Sequence, residues 1–183
     1  MTKRTLIRKT LGKICLTLGL YNEYKQIDTE RINRLIFVCR GNVCRSPYAE
    51  VAAKKIGILS SSCGVDVTRS SLVENMALEA AFLRGKDLSR HLSRSIYDLH
   101  LEKSDCLVVF DPSHLPSAKK VAERVGCQIT LISLWRNIPA FEIADPYGKS
   151  LQAFSACYDE IDEALGRLVT LLSNLHPHGS DLS

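Results

Sequence analysis

The alternation of short β-rich runs with helical stretches is the strongest constraint on what this 183-residue chain can fold into. The four runs are RLIFVC (34–39), ILSSSC (58–63), DCLVVF (105–110) and QITLISLW (128–135). Strands that are separated by helices pair in parallel through right-handed crossovers. The sequence therefore predicts an α/β fold with a parallel sheet. Ligands are expected beyond the carboxyl ends of its strands, and Cys39 lies at such an end.

Helical patterns occupy the segments between these runs. Ser46 and Pro47 are typical of an N-cap and a first helical residue, and Gly57 is typical of a helix stop. Further helices are predicted at about 74–85 and 113–125. The longest helix is predicted from apolar residues that repeat at three- and four-residue steps and so form one face. These residues are Leu151, Phe154, Tyr158, Ile161, Leu165, Leu168, Leu172 and Leu175.

The chain divides into a basic amphipathic extension (1–33), the α/β domain (34–175) and a C-terminal tail (176–183). Apolar residues of the extension share one helical face, namely Ile7, Leu11, Ile14, Leu18 and Tyr21. Three interpretations are open. The helix packs on its own domain or a neighbouring subunit, or it attaches weakly to an anionic membrane surface. Alternatively the extension is disordered, because Gly12 and Gly19 weaken a helix.

The positive charge of the chain is concentrated at its N-terminus. Residues 1–13 contain five basic side chains and no acidic one, so a formal charge of +4 leaves about −1 for the remainder (4 − 5). This balance gives no support to a nucleic-acid partner. No apolar run approaches the roughly 18 residues of a membrane span, and the basic start lacks an evident signal cleavage site. The protein is expected to be cytoplasmic, and peripheral to a membrane if the extension binds lipid.

Cysteines are spread along the chain without a metal-binding pattern. They are Cys15, Cys39, Cys44, Cys63, Cys106, Cys127 and Cys157. Scattered cysteines in a chain without a secretory signal are mostly reduced and buried. No C-x2-C pair is present, and no His/Cys pairing has zinc spacing. The sequence therefore predicts neither a structural metal nor a cofactor.

The pattern Cys-x5-Arg-Ser occurs twice, and local chemistry distinguishes the two copies. In CRGNVCRS (39–46), Gly41 and Asn42 tolerate the left-handed backbone that turns successive N–H groups inward around an anion. That loop then enters a helix N-terminus, which also favours an anion. In CGVDVTRS (63–70), valines favour extended backbone, and Asp66 would repel a phosphate. The first copy is predicted to be a phosphate-binding site and the second a strand end.

Residues of the first copy have the chemistry of a nucleophile and an anion clamp. Inward N–H groups, an arginine and a helix N-terminus stabilise a thiolate, so Cys39 is expected to be the nucleophile. Arg45 offers a planar fork for two phosphoryl oxygens. Ser46 caps the helix, and its hydroxyl is placed to stabilise a departing thiolate. Two interpretations of Cys44 are open: packing against the sheet, or a reversible disulfide that protects Cys39 from oxidation.

A leaving group also needs a proton donor. Two Asp-Pro pairs are candidates, Asp145 in EIADPYGKS and Asp111 directly after the run DCLVVF. The residues alone do not decide between them. Tyr147 could form an aromatic wall beside a flat substrate.

Residues 34–175 resemble the low-molecular-weight protein tyrosine phosphatase family. VCRGNVCRSPYAE fits the family signature V-C-x-G-N-x-C-R-S-P at every fixed position. DPY fits the family's acid loop, which assigns the acid to Asp145 and a structural role to Asp111. Ser62 and His91 match positions that brace the phosphate loop through Asn42. The resemblance implies a three-layer sandwich with a four-stranded parallel sheet, doubly wound and flavodoxin-like.

The resemblance also implies a two-step reaction without metal. Cys39 would attack phosphorus, and Asp145 would protonate the departing phenol. Water activated by Asp145 would then cleave the cysteinyl phosphate. Arg45 and the loop amides would hold the phosphoryl oxygens; the loop residues concerned are Arg40, Gly41, Asn42, Val43, Cys44 and Ser46. The substrate implied is a phosphotyrosine protein, and in a bacterium a membrane tyrosine autokinase of exopolysaccharide or capsule export.

Some residues depart from the family pattern and leave rival functions to weigh. Thr68 lies near a rim position where an aromatic residue is common, and Glu74-Asn75 replaces an acidic-proline pair. An arsenate reductase would carry further cysteines near 109–115, where this chain has none. A phosphoarginine phosphatase would have threonine at the loop position that Val43 occupies here. A phosphotyrosine-binding module without catalysis would not need Cys39, Arg45 and Asp145 together.

Overall fold

A four-stranded parallel sheet forms the centre of the molecule, with strand order β2-β1-β3-β4. The structure, a computed structural model, describes residues 3–173. The strands are β1 (Arg34–Cys39), β2 (Ser60–Gly64), β3 (Asp105–Val109) and β4 (Gln128–Leu131). This order, with helices between the strands, is that of a doubly wound sheet. The predicted fold class is confirmed.

Helices cover both faces of the sheet. They are α1 (Lys3–Thr17), α2 (Arg45–Lys55), α3 (Asn75–Phe82), α4 (Leu115–Val125) and α5 (Leu151–Ser173). One core cluster joins Phe37 of β1 to side chains of α2, α3 and α5, including the stacked rings of Tyr48 and Tyr158. The other joins Ile36 and Val38 to α4. Alternate residues of β1 thus point into opposite layers, as the pleat of a strand requires.

Several predicted element ends differ from the structure. The run 128–135 is a strand only to Leu131 and continues as a 3₁₀ turn over Ile132–Trp135. The run 58–63 becomes a strand at Ser60, where pairing with β1 begins at Leu35. Residues with high β-propensity continue past these ends. A strand forms, however, only where a neighbouring strand supplies the backbone hydrogen bonds.

Helix α2 begins earlier than predicted, which corrects the role of Ser46. The N-cap is Cys44 and the first helical residue is Arg45, so Ser46 and Pro47 lie inside the first turn. The Ser46 hydroxyl is therefore not a cap and turns toward the loop that precedes the helix. Gly57 follows the end of α2 with a φ of 80°, as the predicted stop requires.

The N-terminal extension forms helix α1, and the face it packs differs from the predicted one. Gly12 is buried against Phe141, and Leu16 packs on the second core cluster. Tyr21, after the helix, contacts the Phe141 ring edge-on at 5.8 Å between centroids. The other predicted face residues are exposed: Ile7, Leu11, Ile14 and Leu18. The tail 176–183 and Leu175 lie outside the described residues.

Among residues 3–173, none of the helices combines the length and apolar character that a bilayer crossing demands.

Candidate active site

The loop between β1 and α2 holds a buried thiol at its base. Cys39 ends β1, and its Sγ lies 3.0 Å from the Ser46 hydroxyl oxygen. The backbone N–H of Asn42 donates to the same sulfur at 3.3 Å. A hydroxyl and an inward N–H at the sulfur stabilise negative charge there.

Asn42 shapes the loop with its backbone and braces it with its side chain. Its φ of 54° makes it the only non-glycine residue with positive φ in the described chain. Asparagine tolerates this left-handed conformation better than most residues. Its side-chain amide donates 2.9 Å hydrogen bonds to the hydroxyls of Ser46 and Ser62. Its amide oxygen accepts from the backbone N–H of Arg94 at 3.0 Å and lies 3.2 Å from His91 Nε2.

Glu50 and Arg94 extend this network, and neither was predicted from the sequence. Ser62 donates to a Glu50 carboxylate oxygen at 2.6 Å, and Lys54 donates to the other at 2.5 Å. Arg94 Nε donates to the Ser62 carbonyl at 2.8 Å. Glu50 lies one helical turn after Ser46 within the motif, which is the signal that could have suggested an inward carboxylate. Apart from its nearness to His91 in the sequence, nothing in the pattern of residues marked Arg94 as a supporting residue.

The end of β2 approaches the loop so closely that only glycine fits at position 64. A Cβ on Gly64 would lie 2.5 Å from the carbonyl oxygen of Arg40 and 3.0 Å from the backbone nitrogen of Asn42. The loop is thus held against β2 by its backbone as well as by the Asn42 side chain. This contact fixes the shape of the loop before any ligand binds.

Arg45 lies beneath the mouth of the loop with almost no exposed surface. Its Nη1 donates to the carbonyl of Ile143 at 3.0 Å, and its Nη2 donates to the Asp145 carboxylate at 2.8 Å. The side chain is 2% exposed, whereas that of Asp145 is 42% exposed. Its Nε is buried and finds no hydrogen-bond partner among the described residues. A buried guanidinium with an unused donor has capacity for a bound anion.

The two candidate acids lie in different surroundings. Asp145 faces the loop through Arg45, and its other carboxylate oxygen accepts from the backbone N–H of Tyr147 at 3.2 Å. Asp111 is buried at the end of β3, where its carboxylate accepts from the backbone N–H of Ser113 at 2.8 Å. Only Asp145 of the two lines the pocket that contains Cys39.

A pocket of about 360 Å³ opens above the loop and brings most of the predicted site residues together. Cys39, Arg45 and Asp145 line it, and the largely exposed Tyr147 stands at its mouth. The loop residues Arg40, Gly41, Val43 and Cys44 also line it. Asn42, Ser46, Ser62 and His91 do not, since they support the loop from behind.

The second copy of the Cys-x5-Arg-Ser pattern forms one rim of this pocket. Cys63 and Gly64 end β2, as predicted for a strand end. Asp66, Val67, Thr68 and Arg69 line the pocket, and Asp66 pairs with Arg40 at 3.1 Å on the surface. The Asp66 carboxylate therefore has its ion-pair partner on the protein surface and not inside the loop between β1 and α2.

The cysteines of the described chain are all free, and burial raises the pKa of Cys44, Cys63 and Cys106. Within the described part of the chain, no three His, Cys, Asp or Glu side chains are grouped to hold a metal ion.

Comparison with known proteins connects this loop to one family. Residues 34–177 match the family described as low molecular weight phosphotyrosine protein phosphatase. The chain belongs to this family. It is therefore an enzyme of the low molecular weight phosphatase class, a hydrolase.

One relative among the low molecular weight phosphatases is a bacterial protein of known structure. The chain is 30% identical to the probable low molecular weight protein-tyrosine-phosphatase AmsI of Erwinia amylovora over 148 residues, which is 78% of this chain and 99% of the relative. The crystal structure of that tyrosine phosphatase superposes with a TM-score of 0.66 at 29% identity, covering 78% of this chain and 94% of the other.

Two further structures bear on the pocket and on the fold. Vibrio vulnificus Wzb in complex with benzylphosphonate is 26% identical, with a TM-score of 0.65, covering 76% of this chain and 99% of that one. The YwlE arginine phosphatase of Geobacillus stearothermophilus has a TM-score of 0.68 at 21% identity, covering 82% and 99%. At that identity the second likeness shows the fold alone. The family match begins at residue 34, so the N-terminal extension lies outside it.

Proposed function

We propose that the protein hydrolyses phosphotyrosine in proteins through a phosphocysteine intermediate on Cys39. The observation that carries this proposal is the convergence of Cys39, Arg45 and Asp145 on one pocket. A thiol, a buried guanidinium and a carboxyl group are the parts that a two-step phosphoryl transfer needs. The proposal rests on this geometry and on membership of the phosphatase family.

In the first step the Cys39 thiolate forms a bond to phosphorus while the bond from phosphorus to the tyrosine oxygen breaks. The loop N–H groups and Arg45 balance the charge on the three equatorial oxygens. Arg45 Nη2 donates to the Asp145 carboxylate at 2.8 Å. A bound phosphoryl group competes for that guanidinium, and the Asp145 carboxylate, once released from Arg45, takes up a proton from solvent beside the leaving oxygen. Asp145 then gives its proton to the phenolate, and tyrosine departs neutral.

In the second step water attacks the phosphocysteine and the thiolate leaves. Asp145, now ionised, accepts the proton from the attacking water. The sulfur recovers its electron pair within hydrogen-bond distance of the Ser46 hydroxyl, at 3.0 Å, and the Asn42 amide, at 3.3 Å. Inorganic phosphate is released, and no metal takes part in either step.

The lining of the pocket favours an aryl phosphate over phosphoarginine. Val43 places an apolar side chain in the wall, and Tyr147 adds an aromatic ring at the mouth. An apolar wall gains from contact with a phenyl ring but leaves the N–H donors of a phosphorylated guanidinium unpaired. Phosphoarginine is therefore the second candidate, and replacement of Val43 by threonine is the change that should favour it.

Hydrolysis of a phosphotyrosine peptide with a chelator present tests the proposal. Cys39→Ser should abolish turnover, because a hydroxyl is a far weaker nucleophile at neutral pH. Asp145→Ala should lower kcat/KM by about 100-fold or more, because a general acid contributes about 10²–10⁴. Asp111→Asn, which alters the buried aspartate, is the matched control and should lower activity less than Asp145→Ala. A folded wild type that binds vanadate but releases no phosphate would contradict the proposal.

We further propose a location and a partner for this activity. The five basic side chains of residues 1–13, together with the exposed apolar face of α1, have the composition of a segment that binds an anionic membrane surface. Such binding would place the pocket near membrane-anchored phosphotyrosine proteins, among which a tyrosine autokinase of polysaccharide export is the proposed substrate.

A further inference from the structure

We propose that the N-terminal helix α1 is a positioning element for the general acid, acting through contact between Gly12 and Phe141. This inference rests on the proposed function, since it concerns the proton that Asp145 gives to the leaving group. The segment 136–150, named here the acid loop, carries both Phe141 and Asp145. Helix α1 reaches the acid loop from outside the phosphatase domain.

The contact between the helix and the acid loop depends on the absence of a side chain at Gly12. A Cβ at this position would lie 2.4 Å from Cγ and 2.8 Å from Cβ of Phe141. Gly12 is buried although most of its neighbours on α1 are exposed. The ring of Tyr21 contacts the same Phe141 ring edge-on, with 5.8 Å between the ring centroids. The Phe141 ring is therefore held by two residues of the extension.

The acid loop is also held elsewhere: Asn137 N–H donates to the Glu163 carboxylate at 2.7 Å, and Ile143 is fully buried in the first core cluster. From its described hydrogen bonds, Ala140 N–H donates to the carbonyl of Ser133 at 3.0 Å, and Ile143 N–H donates to the carbonyl of Phe110 at 3.1 Å. The segment has no helix or strand of its own between Trp135 and Leu151. A side-chain anchor in such a segment restricts where its neighbours can lie.

Phe141 is followed closely by both residues of the loop that contact Arg45. The carbonyl of Ile143 accepts from Nη1, and the carboxylate of Asp145 accepts from Nη2. Phe141 precedes Ile143 by two residues and Asp145 by four, so a displacement of Phe141 that also shifts Ile143 would reach the acid. Because misplacement of a catalytic group by about 1 Å costs on the order of 100-fold in rate, a small shift is sufficient.

The substitution Gly12→Ala isolates this contact from the stability of the helix. Alanine is a better helix former than glycine, so α1 should not be weakened. The added methyl group nevertheless meets the Phe141 ring and must displace it. Gly166→Ala is the matched control, because Gly166 also lies within a helix, α5, and a Cβ there would have nothing within 4 Å. Phe141→Leu is the second variant, which removes the ring without adding volume.

The readout is the dependence of kcat/KM on the leaving group, measured with phenyl phosphate and 4-nitrophenyl phosphate. Nitrophenolate leaves without help, whereas phenolate needs the proton from Asp145. We expect Gly12→Ala and Phe141→Leu to lower kcat/KM for phenyl phosphate about 10-fold more than for 4-nitrophenyl phosphate. Gly166→Ala should leave the ratio unchanged. Added to Asp145→Ala, neither variant should change the ratio further, because the acid is already absent.

The possible outcomes separate the two proposals. A wild-type enzyme that hydrolyses neither ester would overturn the proposed function, and this inference with it. An active wild type whose ratio is unchanged in both Gly12→Ala and Phe141→Leu would overturn only the role of α1. An equal loss with both esters would do the same, since it would indicate general damage rather than a misplaced acid.

Discussion

Glu50 determines the direction of the hydrogen bonds behind the phosphate loop. An ionised carboxylate only accepts, so the Ser62 hydroxyl must donate to it and is left to accept from the Asn42 amide. The Asn42 oxygen is thereby turned toward His91 and the backbone N–H of Arg94. One buried acid thus orients a chain of groups that ends at the Cys39 sulfur.

Removing the Ser62 hydroxyl from this series of hydrogen bonds should lower both stability and activity. Ser62→Ala leaves Glu50 and the Asn42 amide each short of a partner, so we expect a loss of about 1–3 kcal/mol in the free energy of unfolding. kcat/KM should fall as the loop loosens around the phosphoryl group. Denaturant titration and phenyl phosphate kinetics measure the two effects. Ser89→Ala, at an exposed serine, is the control, and equal losses in both variants would contradict this role for Ser62.

The residues alone predict the contiguous part of the site, whereas the supporting residues Ser62 and His91 were predicted only through the family resemblance. Cys39 to Arg45 lie in one short loop, so local chemistry was sufficient to predict a phosphate-binding loop. Glu50, Arg94 and the choice of Asp145 over Asp111 depend on how distant segments meet. Ser46 shows the limit even within the motif, because its hydroxyl serves the thiol rather than the helix end.

At the scale of elements, α1 shows why an amphipathic pattern does not identify the buried face. The predicted face is exposed, with 56% of Leu11 and 69% of Leu18 accessible, while the helix packs through Gly12 and Leu16. The packed face is defined by a complementary ring at Phe141, far along the chain, which a period of 3.6 residues cannot reveal. The strands, in contrast, were found because their short runs are bounded by turn residues.

The exposed face of α1 leads to a prediction about membranes. The full chain should float with vesicles that contain phosphatidylserine and not with phosphatidylcholine vesicles, and salt should weaken the association. Leu11→Ser/Ile14→Ser should reduce the bound fraction about 10-fold, because each buried CH₂ contributes about 0.8 kcal/mol. Leu59→Ser/Ile138→Ser, at two exposed apolar residues outside α1, is the matched control. A wild type that remains in the soluble fraction would contradict the membrane proposal.

For the whole molecule, the architecture could be predicted because chain order and handedness leave few alternatives. Four strands separated by helices pair in parallel through right-handed crossover connections. The observed order β2-β1-β3-β4 places Cys39 at the end of a central strand. What could not be predicted is the docking of the extension, since its contacts depend on the finished surface of the domain.

The stability of the whole molecule should depend on pH through His91. Burial lowers the pKa of His91 from its ordinary value, although Glu50 and the hydrogen bond to Asn42 oppose the shift. Below about pH 6.5 the unfolded chain therefore binds a proton that the folded chain does not, so the free energy of unfolding should fall as pH falls. Chemical denaturation between pH 7.5 and about pH 5 should show this slope, and His91→Gln should flatten it.

The matched control for that titration is His100→Gln, which removes a histidine from the surface. An equal flattening by this variant, or a slope of opposite sign in the wild type, would show that His91 is not the group responsible.

The single tryptophan gives the protein a built-in optical probe of its N-terminal segment. Trp135 Nε1 donates to the Thr130 hydroxyl at 2.8 Å, and that hydroxyl donates to the carbonyl of Tyr24 at 2.6 Å. The ammonium group of Lys25 lies 5.8 Å from the centre of the indole ring. Release of residues 21–25 would remove the Tyr24 carbonyl from Thr130 and the Lys25 ammonium from the indole ring. Water would then reach the ring. Emission wavelength and quenching of Trp135 therefore report, without any label, whether the extension is seated on the domain.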